Sequence, residues 1–155
     1  FGRGNWFKQS SNTGAKWTQL ELTVFGGPYD RRKVWDNIFV DGSKMGQSGI
    51  PVAKEIGLRT LRSIIESHNN LDPTDMSEAA QSKRQISGID QLNGMEICVK
   101  IKVEKGTNGY ADQNKMLVVL TPNSKDFISG GAAPISSQAP QPQSTASGPV
   151  PDWAR

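Results

Sequence analysis

Two tryptophans stand in polar company. From Lys16 to Phe25 the residues alternate with period two, so that Trp17, Gln19, Glu21 and Thr23 share one side and Thr18, Leu20, Leu22 and Val24 the other. From Arg31 to Val40 the same alternation sets Lys33, Trp35 and Asn37 against Val34, Ile38 and Val40. An indole on a polar strand face is badly placed for a core. It is well placed to stack on an unpaired base, an interaction of roughly 1–3 kcal/mol per base. Cations that could follow a phosphate chain stand close by: Lys8, Lys16 and the run Arg31-Arg32-Lys33. Trp6 approaches from the preceding strand, and Tyr110 stands beside the last hairpin. The candidate nucleic-acid contacts are therefore Trp6, Lys8, Lys16, Trp17, Arg31, Arg32, Lys33, Trp35 and Tyr110. A plainer alternative stays open at each ring. A small barrel has two faces, and Trp35 or Phe39 can equally pack beneath a helix or beneath the 69–94 insertion.

No catalytic set emerges. His68 is the only histidine and falls on the apolar stripe of a helix, where a structural role outweighs a catalytic one. Cys98 is the only cysteine, which leaves no intramolecular disulfide and no cysteine-based metal site. Its apolar neighbours suggest a buried small residue, and a reducing compartment suits it. His, Cys, Asp and Glu do not cluster at metal-ligand spacing. Gly26-Gly27 has neither the lysine nor the following helix of a phosphate loop. Asp36 and Asp41 could converge as nuclease carboxylates do, although nothing in the sequence brings them together. The expectation is a binding protein rather than an enzyme, with no metal or cofactor.

The elements that must position these side chains follow from turns and periodicity. Ser11-Asn12-Thr13-Gly14 supplies a turn, so Asn5 to Ser10 reads as the end of a first strand. Gly26-Gly27-Pro28-Tyr29-Asp30 turns between the second and third strands. Pro51 suits the first turn of a helix, in which Leu58, Leu61, Ile64 or Ile65, and His68 form an amphipathic stripe ending at Asn69-Asn70. Asp72-Pro73-Thr74-Asp75 predicts the capped start of a short second helix reaching about Lys83. Beyond Asn93-Gly94, Met95, Ile97, Val99, Ile101 and Val103 should face inward and Glu96, Cys98, Lys100 and Lys102 away. Gly106 to Gly109 is a hairpin loop, and Lys115 to Leu120 a last strand closed by Thr121-Pro122. Strand, strand, strand, helix, strand, strand is the order of a five-stranded OB-fold barrel, mainly β with a helical insertion.

The 155 residues suffice for one domain and a tail. Residues 1–127 carry the domain. From Ile128 to Arg155 the chain is Ser, Gly, Ala, Pro and Gln, with Asp152 and Arg155 its only ionisable side chains. Such a segment buries too little apolar area to offset the entropy of ordering it, and reads as a disordered tail. The net charge of +3 is uneven. Phe1 to Arg62 holds ten Lys/Arg against five Asp/Glu, and Ser63 to Phe127 seven against nine, so only the first half can supply a basic face. No apolar run is long enough to span a membrane. The chain opens on Phe1 without a signal-peptide pattern, as a piece that begins inside a domain would.

The stretch Trp17-Thr18-Gln19-Leu20-Glu21-Leu22-Thr23-Val24, followed by Gly27-Pro28-Tyr29-Asp30-Arg31-Arg32-Lys33-Val34-Trp35-Asp36, resembles bacteriophage single-stranded DNA-binding proteins long filed as a domain of unknown function. Leu92-Asn93-Gly94 and Gly109-Tyr110 to Leu120 fit the family's later turn and final hairpin, and the likeness runs from about Trp6 to Pro122. It implies an OB-fold that binds single-stranded DNA with little sequence preference during phage replication or recombination, in the cytoplasm of the infected bacterium. It also implies that the tail recruits replication or recombination proteins. Two departures stand out. Arg31 takes the place of the family's glycine before Arg-Lys, and the first strand looks incomplete. The tail closes on Pro151-Asp152-Trp153-Ala154-Arg155 with no acidic run, which leaves Trp153 as an alternative partner anchor. The competing expectation is an OB-like protein-interaction or virion-associated module with no nucleic-acid role, and a homo-oligomer is compatible with either.

Overall fold

The computed structural model describes residues 7–107 and 109–129. Trp6 and the expected tail from residue 130 onward lie outside the described residues. Strand β1 (Lys8–Gln9) pairs antiparallel with β2 (Lys16–Thr23), and β2 with β3 (Lys33–Asp41). The alternation expected from the sequence holds through this sheet. Thr18, Val34 and Ile38 are buried on its inner face with Leu20 and Leu22 half-buried, while Gln19, Glu21, Thr23, Lys33, Trp35 and Asn37 are exposed. Backbone pleating sends successive side chains to opposite faces, so these two sets separate as soon as the strands form.

Helix α1 (Val52–His68) begins directly after Pro51 and ends with Asn69 and Asn70, the latter at φ 52°. Its buried face is centred one residue away from the expected stripe. Gly57, Ile64 and Ile65 are buried and Leu61 half-buried, whereas Leu58 and His68 are exposed. The cause is the closeness of α1 to β3: a Cβ at Gly57 would lie 1.7 Å from the Phe39 carbonyl oxygen. The closest approach thus passes through a residue with no side chain, which carries no hydropathic signal. His68 instead sets its Nδ1 3.3 Å from the Glu96 carbonyl oxygen, beside the chain leading into β4.

The second helix starts later than the sequence suggests. Asp72 folds back on its own turn, accepting from the Thr74 amide at 2.8 Å and the Thr74 hydroxyl at 2.7 Å. Ser77 caps α2 (Glu78–Arg84) by accepting from the Ala80 amide. A proline after Asp72 permits a helix start, but the side chain finds nearer donors. This segment is tied to α1 through Glu66, whose side chain is 3% exposed and whose Oε1 accepts from the Nε atoms of Arg62 and Arg84, both at 2.7 Å. Arg84 also donates to the carbonyls of Asp75 and Asp72, and Arg62 to that of Pro73.

Strands β4 (Cys98–Glu104) and β5 (Gln113–Leu120) form a separate antiparallel pair. Met95, Ile97 and Val99 are half-buried as expected, and Cys98 is half-buried too. Ile101 and Val103 are exposed, which corrects their inward assignment. The core takes Val99 but ends before Ile101 and Val103, and the register shifts between Lys100, opposite Val118, and Ile101, opposite Met116, so Leu117 is left over as a bulge that breaks the alternation of β5. The core lies between the two sheets: Ile38, Ile64 and Val119 are buried together, with Leu20, Leu61, Leu92 and Met95 against them. Full burial of Ile64 is worth about 1.5–3 kcal/mol.

The molecule is thus mainly β, in the expected order of strands and helices, the short second helix included. The expected closed barrel is not formed among the described residues. The ladders are β1-β2-β3 and β4-β5, and β3 and β5 approach each other through core side chains without a hydrogen-bonded ladder. Closure needs strands that pair along both edges, and β1 contributes two residues.

Candidate nucleic-acid interface

The outer face of β1-β2-β3 is organised by cross-strand rows. Trp17 stands opposite Phe39, Gln19 opposite Asn37, Glu21 opposite Trp35 and Thr23 opposite Lys33, while Lys8 pairs with Trp17 from the other side. Side chains opposite one another on one face are close enough to interact, and each row here does something definite. The rings of Trp17 and Phe39 lie 5.9 Å apart and tilted by 44°, which leaves Trp17 half-buried and Phe39 41% exposed. The Trp35 indole nitrogen donates to Glu21 Oε2 at 3.1 Å, fixing the ring by its edge while half its surface stays open to solvent. Lys33 Nζ donates to the other oxygen of Glu21 at 2.5 Å, and Lys8 Nζ to Gln19 Oε1 at 3.1 Å.

Glu21 is the electrostatic centre of this face. The hydrogen bond from Lys33, then that from Trp35, holds its carboxyl below the ordinary glutamate value. It is ionised at neutral pH and cancels the charge of Lys33. The face is therefore a platform of three rings with a lysine that a competing anion could draw away from Glu21. A phosphate is such an anion, and counterion release would supply the driving force for the exchange.

The expected basic run does not act as one cluster. Arg31, Arg32 and Lys33 go three different ways: Lys33 into β3, Arg32 with its guanidinium 5.0 Å from the Tyr29 ring centroid, and Arg31 outward at φ 62° with Asp30 at 3.6 Å. Arg31 holds this left-handed φ at a steric cost that glycine would not bear. Lys16 is exposed at the head of β2, where the register shifts and Asp41 stands across from it.

Trp17, Trp35, Lys8 and Lys33 are brought together on this face; Arg31 and Arg32 extend it at the hairpin end. Tyr110 is not brought to it. It lies 76% exposed in the β4–β5 loop, its amide donating to the Thr107 carbonyl, and no hydrogen bond or ring contact joins it to β2 or β3 among the described residues. Trp6 lies outside the described residues. Asp36 and Asp41 sit five positions apart in one strand, about 16 Å, so they do not form a carboxylate pair. Two aromatic residues were missed by the sequence assignment. Phe39 follows Lys33, Trp35 and Asn37 in odd-numbered order, and that parity was the signal for it. Phe25, at the end of β2, is 89% exposed. No family model, curated protein or solved structure matches the chain, so the candidate interface stands on its own geometry.

Proposed function

We propose that the outer face of β2 and β3 binds single-stranded DNA with little sequence preference, stacking bases on Trp35, Trp17 and Phe39 and placing phosphates near Lys8 and Lys33. The observation that carries this is the Trp35–Glu21–Lys33 group: an indole held by its edge, its surface half open, beside an exchangeable lysine. Bases all present a π-face, so a ring platform without a base-edge reading pattern favours affinity over sequence choice. The strand order and the core between two sheets support an OB-type barrel left open at the β1 side. The likeness to phage single-stranded DNA-binding proteins extends the proposal to protection of DNA during phage replication or recombination in the bacterial host.

Titration of the intrinsic tryptophan fluorescence with oligo-dT at low salt tests it. Quenching and an affinity that falls with added salt are expected. Replacing Trp17 and Trp35 together by Ala should weaken binding by about 1–3 kcal/mol for each base unstacked, with the fold intact by circular dichroism. Absence of both quenching and a mobility shift would remove the proposal. A second reading, a protein-interaction module, is favoured by one observation: Ile101, Val103, Leu117 and Val118 are all exposed on the β4–β5 hairpin. Sedimentation that depends on protein concentration without any oligonucleotide response would favour it.

A further inference from the structure

Phe25 is the most exposed large apolar side chain among the described residues, at 89%. A singly exposed apolar residue needs no explanation, but Phe25 is not alone. Tyr29, 59% exposed, stands four residues on in the same hairpin and carries the Arg32 guanidinium 5.0 Å from its ring centroid. The Arg31 side chain is 92% exposed, from a backbone at φ 62°. Two aromatic rings and two guanidiniums thus project from one turn.

That turn is tightly tied. The Arg31 amide donates to the Val24 carbonyl and the Val24 amide to the Arg32 carbonyl, both at 2.8 Å; the Gly26 amide donates to Asp30 Oδ1 at 2.7 Å. A 3₁₀ turn over Gly27–Tyr29 closes the end. Backbone held in this way has little conformational entropy left to lose when a ligand docks. Phe25 also continues the odd-numbered file of Trp17, Gln19, Glu21 and Thr23, and Val24 between them is half-buried. The tip therefore lies in line with the ring platform of the sheet.

We propose that the β2–β3 hairpin tip is a second stacking platform on the same single strand, with Phe25 taking a base beyond Trp35 and with Arg31 and Arg32 taking the flanking phosphates. The proposal rests on single-strand binding by the sheet face. Strand β2 has 8 residues and spans about 26 Å, so Trp17 and the tip would meet different nucleotides. Only a long oligonucleotide can occupy both.

The full chain and its Phe25→Ala variant would be titrated with oligo-dT of about 4 and about 16 nucleotides, the ends of the range that one such fold covers. The expected result is a loss of roughly tenfold on the long oligonucleotide and little on the short one. Arg31→Ala should flatten the salt dependence on the long oligonucleotide alone. Equal affinities of variant and parent at both lengths would overturn the proposal while leaving the sheet-face reading intact. Equal losses at both lengths would overturn it too, by placing Phe25 in the same subsite as Trp35. A change in the sedimentation of the DNA-free protein on Phe25→Ala would overturn it by making the tip a contact between copies. Failure of the parent chain to bind at either length would overturn both readings together.

Discussion

Glu21 and Glu66 make the same bonds in opposite surroundings. Each accepts from two nitrogen donors, Glu21 from Lys33 and Trp35, Glu66 from Arg62 and Arg84. The Glu66 side chain is 3% exposed and the Glu21 side chain 49%. Around Glu66 water has been replaced by protein, and Arg84 also donates to the carbonyls of Asp72 and Asp75. Removing Glu66 strands the largely buried Arg84, and removing Arg84 leaves Glu66 with the half-exposed Arg62 alone. Around Glu21 solvent competes with every bond, so the group is held loosely and a competing anion can take its lysine. Ion-pair chemistry alone thus says little about role, and burial divides a structural clamp from a working surface.

The sharpest way to break this contrast is Glu66→Ala. It should destabilise the fold by about 3 kcal/mol in urea unfolding, because Arg84, whose side chain is 12% exposed, loses its carboxylate partner, while the half-exposed Arg62 can turn to water. A loss no greater than that of Glu21→Gln would abolish the distinction between the two groups. Glu21→Gln itself should leave the unfolding midpoint almost unchanged and act on binding. Releasing Lys33 and removing a negative charge should tighten oligo-dT binding several-fold and steepen log K against log salt by about 0.7 for the phosphate gained.

The pH dependence sharpens the same point. A carboxyl held below its ordinary value of 4.5 contributes to folding above that value, and the contribution is lost as pH falls through the folded-state value. Acidification into that range should raise the oligonucleotide affinity of the parent chain relative to Glu21→Gln, since only the parent has a carboxylate there to neutralise. Parallel affinity–pH curves for the two proteins would show that Glu21 does not control the face. The smallest effect belongs to Arg31→Gly. Relief of the left-handed backbone should stabilise the fold by up to about 1 kcal/mol, measured by urea unfolding, after the added freedom of glycine in the unfolded chain is counted. Oligonucleotide binding should weaken in the same variant, which would mark Arg31 as a strained residue at a functional tip.

Much of the fold was legible before any coordinates. Both faces of β2 and β3, the turn at 26–30, the helix ending at Asn69-Asn70 and the final two strands all follow from alternation, turn residues and a proline. The placement of Trp17 and Trp35 on the polar face was legible for the same reason. Phe39 was legible in principle, because its parity matches theirs, but aromatic rings suit a core as well as a surface. Arg31-Arg32-Lys33 could not be resolved, since a run of like charges does not show that one residue turns left-handed and another stacks on Tyr29.

What the sequence determined by itself is local: which residues alternate, where the chain must turn, and which half is basic. Those are consequences of backbone geometry within a few residues. What only the tertiary structure decided is non-local. Arg84 reaches Glu66 from 18 residues away, Gly57 lets α1 touch the Phe39 carbonyl, and the core takes Val99 and Met116 but stops short of Ile101 and Val103. The open sheets that the described residues form in place of a closed barrel belong with these, because closure depends on pairing between strands far apart in the chain. Contacts of this kind are set by which surfaces meet, and no periodicity along the chain encodes that meeting.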